Sequence, residues 1–185
     1  MKFVANVDFN GGQLRPLDKS DVDAIVKLYQ KQTLAGQSEA AIKEHAERMI
    51  SLSVKMAATQ RGLMWAIEVD GQLLGMMSLY DWQPTLLKTL VRLDVFPELS
   101  QPLQVDALLS GIDHLVQKYH LRNFSFQCLP QGEEAVIEVI KLAGFEQQAL
   151  LRDFRRISQT EFSDIVVFNK IIESSETTSQ AGEPA

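Results

Sequence analysis

The chain has 185 residues, 45% apolar and 23% charged, which suits one globular domain with a sizeable core and falls short of two. Its net charge of −6 argues against a nucleic-acid module, which needs a basic face. A single cysteine, Cys128, excludes an intramolecular disulfide and a cysteine-bound metal cluster, and no apolar run is long enough to span a membrane.

Met1 to Asn10 carries one lysine and no apolar run of signal-peptide length, so a cytoplasmic protein is expected. Gln13 to Leu17 reads as a short strand. Asp18 or Ser20 can cap a helix with Val22, Ile25, Val26 and Tyr29 at helical spacing. Ser38 caps a second helix, whose stripe is Ile42, His45 or Ala46, Met49, Ser53 and Met56, and Arg61-Gly62 ends it. Leu63 to Val69 and Gln72 to Leu79 flank Asp70-Gly71, a strong two-residue hairpin signal.

A further strand is predicted from Leu87 to Phe96, stopped by Pro97. Val105 to Tyr119 reads as a helix with Leu108, Leu109, Ile112, Leu115 and Val116 on its core side. Phe124 to Leu129 reads as a strand, and Glu133 to Ala143 as a helix capped by Gly144. Gln147 to Ile157 and Asp164 to Ile171 complete the strands. The polar stretch Glu173 to Ala185 buries too little apolar surface to offset its ordering entropy and is expected to be a disordered tail, which leaves residues 1–172 as the domain. The predicted fold is α/β. About seven strands in the order β-α-α-β-β-β-α-β-α-β-β form one mixed central sheet with helices on both faces.

Leu14-Arg15-Pro16-Leu17 followed by Asp21 and a helix, Gly144-Phe145 closing a helix, and the run Leu151-Arg152-Asp153-Phe154-Arg155-Arg156 leading to Phe162-Ser163-Asp164-Ile165 carry a resemblance beyond element order. Over about Gln13 to Lys170 the chain resembles the GNAT N-acetyltransferase superfamily, and its ending is similar to the ribosomal-protein N-terminal acetyltransferase branch. The resemblance implies a cleft for acetyl-CoA, the cosubstrate, where the strands ending near Phe96 and Leu129 splay apart. It implies that backbone around Leu93 and Val95 pairs with the thioester arm. It also implies that the pyrophosphate rests on amides of the following loop and helix start, through Ser100, Gln101, Leu103, Gln104 and Val105.

That loop departs from the family pattern of Arg or Gln, two residues, Gly, one residue, then Gly or Ala. Ser100 stands at the basic or amide position, Leu103 and Val105 at the small ones, Pro102 has no N–H, and Asp106 adds a negative charge. The tyrosine that many members place before the closing Gly-Phe is Ile140 here, and the family's asparagine falls in Gln131-Gly132-Glu133.

Asp94 could take a proton from an incoming amine, or form with Arg92 an ordinary ion pair on a strand face, since residues two apart point the same way. Cys128 could protonate the leaving thiolate or attack as nucleophile, or be a small buried hydrophobe. His45, His114 and His120 show no metal spacing, so no metal site is expected. Trp65, Met76, Met77 and Trp82 read as core, with an acceptor pocket as the second use of Trp82. Arg152, Arg155 and Arg156 form a charged strand face that could steer an acidic partner or the adenosine phosphate.

The expected function is transfer of an acetyl group from acetyl-CoA to a primary amine, a protein N-terminus or a small amine. A catalytically degenerate binding or regulatory protein and an acyltransferase for another CoA thioester are the alternatives. The expected partner is a small-molecule or peptide amine, with no nucleic acid and no membrane, and a homodimer is left open.

Overall fold

The computed structural model describes residues 4–31 and 37–173; beyond Glu173, the predicted tail lies outside them. One eight-stranded sheet runs β1-β2-β3-β4-β5-β6-β8-β7. Its strands are β1 (Val7–Phe9), β2 (Gly12–Pro16), β3 (Leu63–Val69), β4 (Gln72–Gln83), β5 (Lys88–Val95), β6 (Asn123–Cys128), β7 (Glu146–Arg156) and β8 (Phe162–Ile171). The helices are α1 (Val22–Lys31), α2 (Glu39–Ala58), α3 (Gln101–Tyr119) and α4 (Glu134–Leu142).

The expected α/β mixed sheet is present with one more strand than the seven predicted. The added strand, β1, pairs antiparallel with β2 through a two-residue turn at Asn10-Gly11, where Gly11 has φ +99°. Asn-Gly is a hairpin signal of the same kind as Asp70-Gly71. A second correction concerns α3, which starts at Gln101 rather than Val105. Pro102 suits a first turn, because its missing N–H would have no intrahelical acceptor there.

Alternation along the strands divides the interior into two layers. Trp65, Ile67, Met77, Leu93, Phe124 and Phe126 pack toward α3 and α4. Met64, Ala66, Leu73 and Met76 pack toward α1 and α2, against Ile25, Leu28, Ile42 and Ala46. Met76 and Met77 therefore serve opposite faces. Trp82 is buried in the α3 layer, its ring edge-on to Tyr119 at 4.7 Å between centroids, and so belongs to the core rather than to an acceptor pocket.

Both β5 and β6 run parallel as far as the pair Val91 and Phe126, and past it they share no pairing. β6 keeps its pairing with β8 to the end, with Gln127 opposite Val167 and Cys128 opposite Val166, while β5 stays with β4 through Val95. The sheet thus opens at the C-terminal ends of its two parallel strands, and α3 begins just beyond the opening.

Three strands across from β5, on β2, Arg15 donates from both terminal nitrogens to Asp21, at 2.8 and 2.9 Å, and from Nε to Glu68. Asp21 is 3% exposed and also accepts from the Asp18 N–H, which closes a capping box at the start of the α1 region. The bond from Arg15 holds the Glu68 carboxyl below the usual glutamate range, against a smaller opposing effect of burial. A carboxyl lowered in the folded state contributes stability above its unfolded pKa and loses it as pH falls through the folded one. Glu68→Gln is therefore expected to flatten the acid limb of a plot of Tm against pH. An unchanged slope would show that the ion pair is not linked to stability.

Candidate active site

The opening between β5 and β6 is one wall of a cavity of about 600 Å³. Val91, Arg92 and Asp94 line it from β5, Gln127 from β6 and Ile165 from β8. Tyr29 of α1, His45 of α2, Tyr80 of β4, and Phe154, Arg155 and Arg156 of β7 complete it. One space therefore touches Val91, the last residue of β5 that pairs with β6, and Gln127, the first of β6 beyond that pairing. It lies on the α1–α2 side, because Arg92 and Asp94 alternate with Leu93, which faces α3.

Asp94 is 6% exposed and accepts twice from Nε of Arg92, at 2.9 and 3.1 Å. Sequence spacing had paired these two, and the structure sets the pair into the cavity wall rather than on a solvated face. Phe96 donates its N–H to Leu74 of β4. Counting back along the strand, the backbone of Asp94 faces β4 as well, and that of Leu93 faces the opening. Leu93 and Val95 thus belong to the stretch of β5 that β6 has left.

Cys128 ends β6, buried and unpaired in a disulfide. Burial first, then the Glu133 carboxylate, push its thiol up to about 12, with Arg92 opposing. A thiol so raised holds its proton through the neutral range and supplies almost no thiolate. Glu133 accepts from the Leu129 N–H at 2.5 Å and so fixes the turn out of β6. Ile140 is fully buried core.

Beyond the opening, Ser100 is the N-cap of α3 with extended backbone, and its side chain caps nothing. Gln101 and Leu103 therefore present first-turn N–H groups with no intrahelical acceptor, while Pro102 presents none. The Leu103 side chain leans on Gly11, where an added Cβ would meet its Cδ2 at 2.7 Å, and Val105 packs against the α3-side core. Neither side chain is simply turned toward an incoming phosphate. Gln104 donates from Nε2 to the Leu99 carbonyl at 2.7 Å, which fixes the loop before the helix.

Tyr29, Tyr80 and His45 were not singled out as site residues in the sequence. They reach the cavity from three elements, and only the packing of α1 and α2 on the sheet brings them together. Both phenols are held above the usual tyrosine range, chiefly by burial and secondarily through Asp94 for Tyr29 and through a Ser78 contact that opposes the rise for Tyr80. His114 packs edge-on to Trp65 in the α3 layer, its pKa lowered by burial and then by Lys118. Among the described residues no three His, Cys, Asp or Glu are grouped to hold a metal, and no helix is long and apolar enough to cross a membrane.

Neither a family model nor a curated protein matches the chain by sequence. Solved structures match it closely in shape. An acetyltransferase from Salmonella typhimurium that modifies the N-terminal serine of a 50S ribosomal subunit protein aligns with TM-score 0.79 at 15% identity, over 91% of this chain and all (100%) of that one. RimJ of Mycobacterium smegmatis, solved with a CoA disulfide, aligns at 0.77 and 18% identity over 94% and 88% of the two chains. The microcin self-immunity acetyltransferase MccE, solved with acetyl-CoA and AMP, aligns at 0.76 and 11% identity over 88% and 93%. The chain has the GNAT acetyltransferase fold. Within that fold it is similar to the ribosomal-protein acetyltransferases RimL and RimJ, at 16–18% identity.

Proposed function

We propose that the chain is an N-acetyltransferase that moves an acetyl group from acetyl-CoA to a primary amine, either a peptide N-terminus or a small amine. The observation that carries this reading is the parting of β5 and β6 after Val91 and Phe126, with one cavity spanning the gap and a helix start beyond it. The thioester would lie along β5, its carbonyl oxygen taking the Leu93 N–H as charge develops in the transition state. Asp94 would take a proton from the incoming ammonium, directly or through water. The freed nitrogen attacks the thioester carbon, the C–S bond breaks, and the sulfur leaves as thiolate and takes up a proton while the nitrogen sheds one in becoming an amide. Tyr29 and Tyr80, raised above the usual range, are weak donors for that last step. A cytoplasmic location goes with this reading. So does a homodimer, supported by the edge strand β7 with Leu150 and Phe154 exposed.

One observation favours a second reading, a GNAT-fold binding protein that does not acetylate. The start of α3 holds no glycine, Pro102 removes one first-turn donor, and Asp106 brings a carboxylate one turn on. Calorimetric titration with acetyl-CoA decides between the two, read beside CoA release from acetyl-CoA and amines. Leu103 and Val105 lean on the core, so the loop is best probed through Pro102→Ala and Asp106→Asn, which return a donor and remove a charge without opening a hole.

A charge-assisted hydrogen bond is worth about 1.5–3 kcal/mol, and about 1.4 kcal/mol is tenfold in affinity. Weak binding by the native chain, tightened about tenfold or more in the double variant, is expected. Tight native binding that the variant does not improve would remove the case for an impaired loop and leave the enzyme reading alone.

A further inference from the structure

We infer that the acceptor is an anionic amine, a molecule that carries a carboxylate or phosphate besides the amine to be acetylated, and that Arg155 reads the anion. This rests on the acetyltransferase reading for what happens to the amine, and on the cavity alone for the recognition. The chain as a whole carries −6, yet its cavity lining holds three arginines, Arg92, Arg155 and Arg156, against one carboxylate, Asp94. Positive charge is thus concentrated where the rest of the molecule would repel an anion.

The three arginines are not equivalent. Arg92 is committed to Asp94 through Nε. Arg156 donates to the carbonyls of Ser158 and Gln159, at 2.9 and 3.1 Å, and so ties down the β7–β8 turn. The exposed side chain of Arg155 has no hydrogen-bond or ion-pair partner among the described residues, and it lines the cavity. Asp164 of β8 accepts from the Asp153 N–H at 2.9 Å, and neither carboxylate lines the cavity.

The guanidinium fork of Arg155, exposed to solvent on the cavity lining, matches the planar or tetrahedral oxygens of a carboxylate or phosphate. Asp94 and Arg155 come to the cavity from β5 and β7, strands that are not neighbours, since β6 and β8 lie between them. The carboxylate would receive the amine while the guanidinium receives the anion. A zwitterionic acceptor is thereby oriented by both of its charges, and a simple alkylamine by only one.

The probes are two matched pairs, O-phosphoethanolamine with ethanolamine, and the amidated peptides Ser-Glu-Ala and Ser-Gln-Ala. Each is titrated by calorimetry and assayed for CoA release with acetyl-CoA. The anionic member is expected to be favoured about tenfold or more, the size of one charge-assisted contact. Arg155→Ala should collapse the anionic-to-neutral ratio and Arg155→Glu should invert it, while Arg155→Lys should keep part of it. Which pair shows the larger ratio tells phosphate from peptide carboxylate.

Equal turnover of both members of each pair would overturn the inference and leave the acetyltransferase standing. Arg155-dependent binding of the anionic probes without turnover of any amine would keep the recognition and overturn the transferase. Neither binding nor turnover with any probe would overturn both.

Discussion

Asp94→Asn is expected to lower kcat for acetyl transfer by about 10²–10⁴-fold, the range a positioned general base contributes. The carboxylate is buried on the cavity wall beside the point where β5 and β6 part, and its two oxygens face one donor, Arg92. The amide keeps the shape and can still accept from Arg92, but it cannot take a proton from an amine. The loss should therefore fall mainly on kcat, with the affinity for acetyl-CoA unchanged in a calorimetric titration. Melting curves of the variant separate this from unfolding. A kcat within about threefold of the native value, well inside the range for a general base, would remove Asp94 from the chemistry and return the pair to a structural role.

Trp65→Ala carries the largest expected cost in stability, about 3–5 kcal/mol for truncating a fully buried aromatic. In a domain of this size that is roughly 6–20 °C in Tm, at about 2–4 °C per kcal/mol. Trp65 has no exposed surface, packs in the α3-side core with Met77, and donates its indole N–H to the Ala5 carbonyl at 2.9 Å. Trp65→Phe fills most of the volume and gives up the hydrogen bond, so its difference from the native protein reads mainly the tie to Ala5 and its difference from Trp65→Ala reads the packing of the ring. A Tm within about 2 °C of the native value for Trp65→Ala, under the shift of 1 kcal/mol, would contradict the packing described.

Local signals gave the frame of the fold directly. Asp70-Gly71, Ser38, Gly144 and the apolar stripe of α3 each fixed a turn, a cap or a face by short-range chemistry. Asn10-Gly11 is a signal of the same kind, but Val7–Phe9 is too short a strand to show the alternation that would flag a hairpin. α3 was started a turn late because apolar spacing begins at Val105, whereas Pro102 marks the first turn by its backbone alone. Arg92 and Asp94 were legible as a pair from their spacing of two. Their placement in a cavity was not, since Tyr29, His45, Tyr80 and Arg155 lie far off in sequence and meet them only through the order of the strands. The side chains of Leu103 and Val105 were expected at the phosphates on sequence grounds. Their contacts with Gly11 and the core depend on the β1–β2 hairpin, which the sequence reading did not contain.

The strand order also bears on how the protein is made. β8 is the last of the described strands, yet it sits inside the sheet between β6 and β7. On a ribosome adding about 5–20 residues per second, β6 can pair with β5 as soon as it emerges, but its other edge stays open until Phe162–Ile171 has been synthesised. The nascent chain thus carries an unpaired strand edge through the synthesis of α4 and β7, a period of seconds in which edge-to-edge association competes with completion of the sheet. Completion of the sheet therefore waits on the arrival of β8, and the open edge of β6 is the part of the nascent chain exposed for longest.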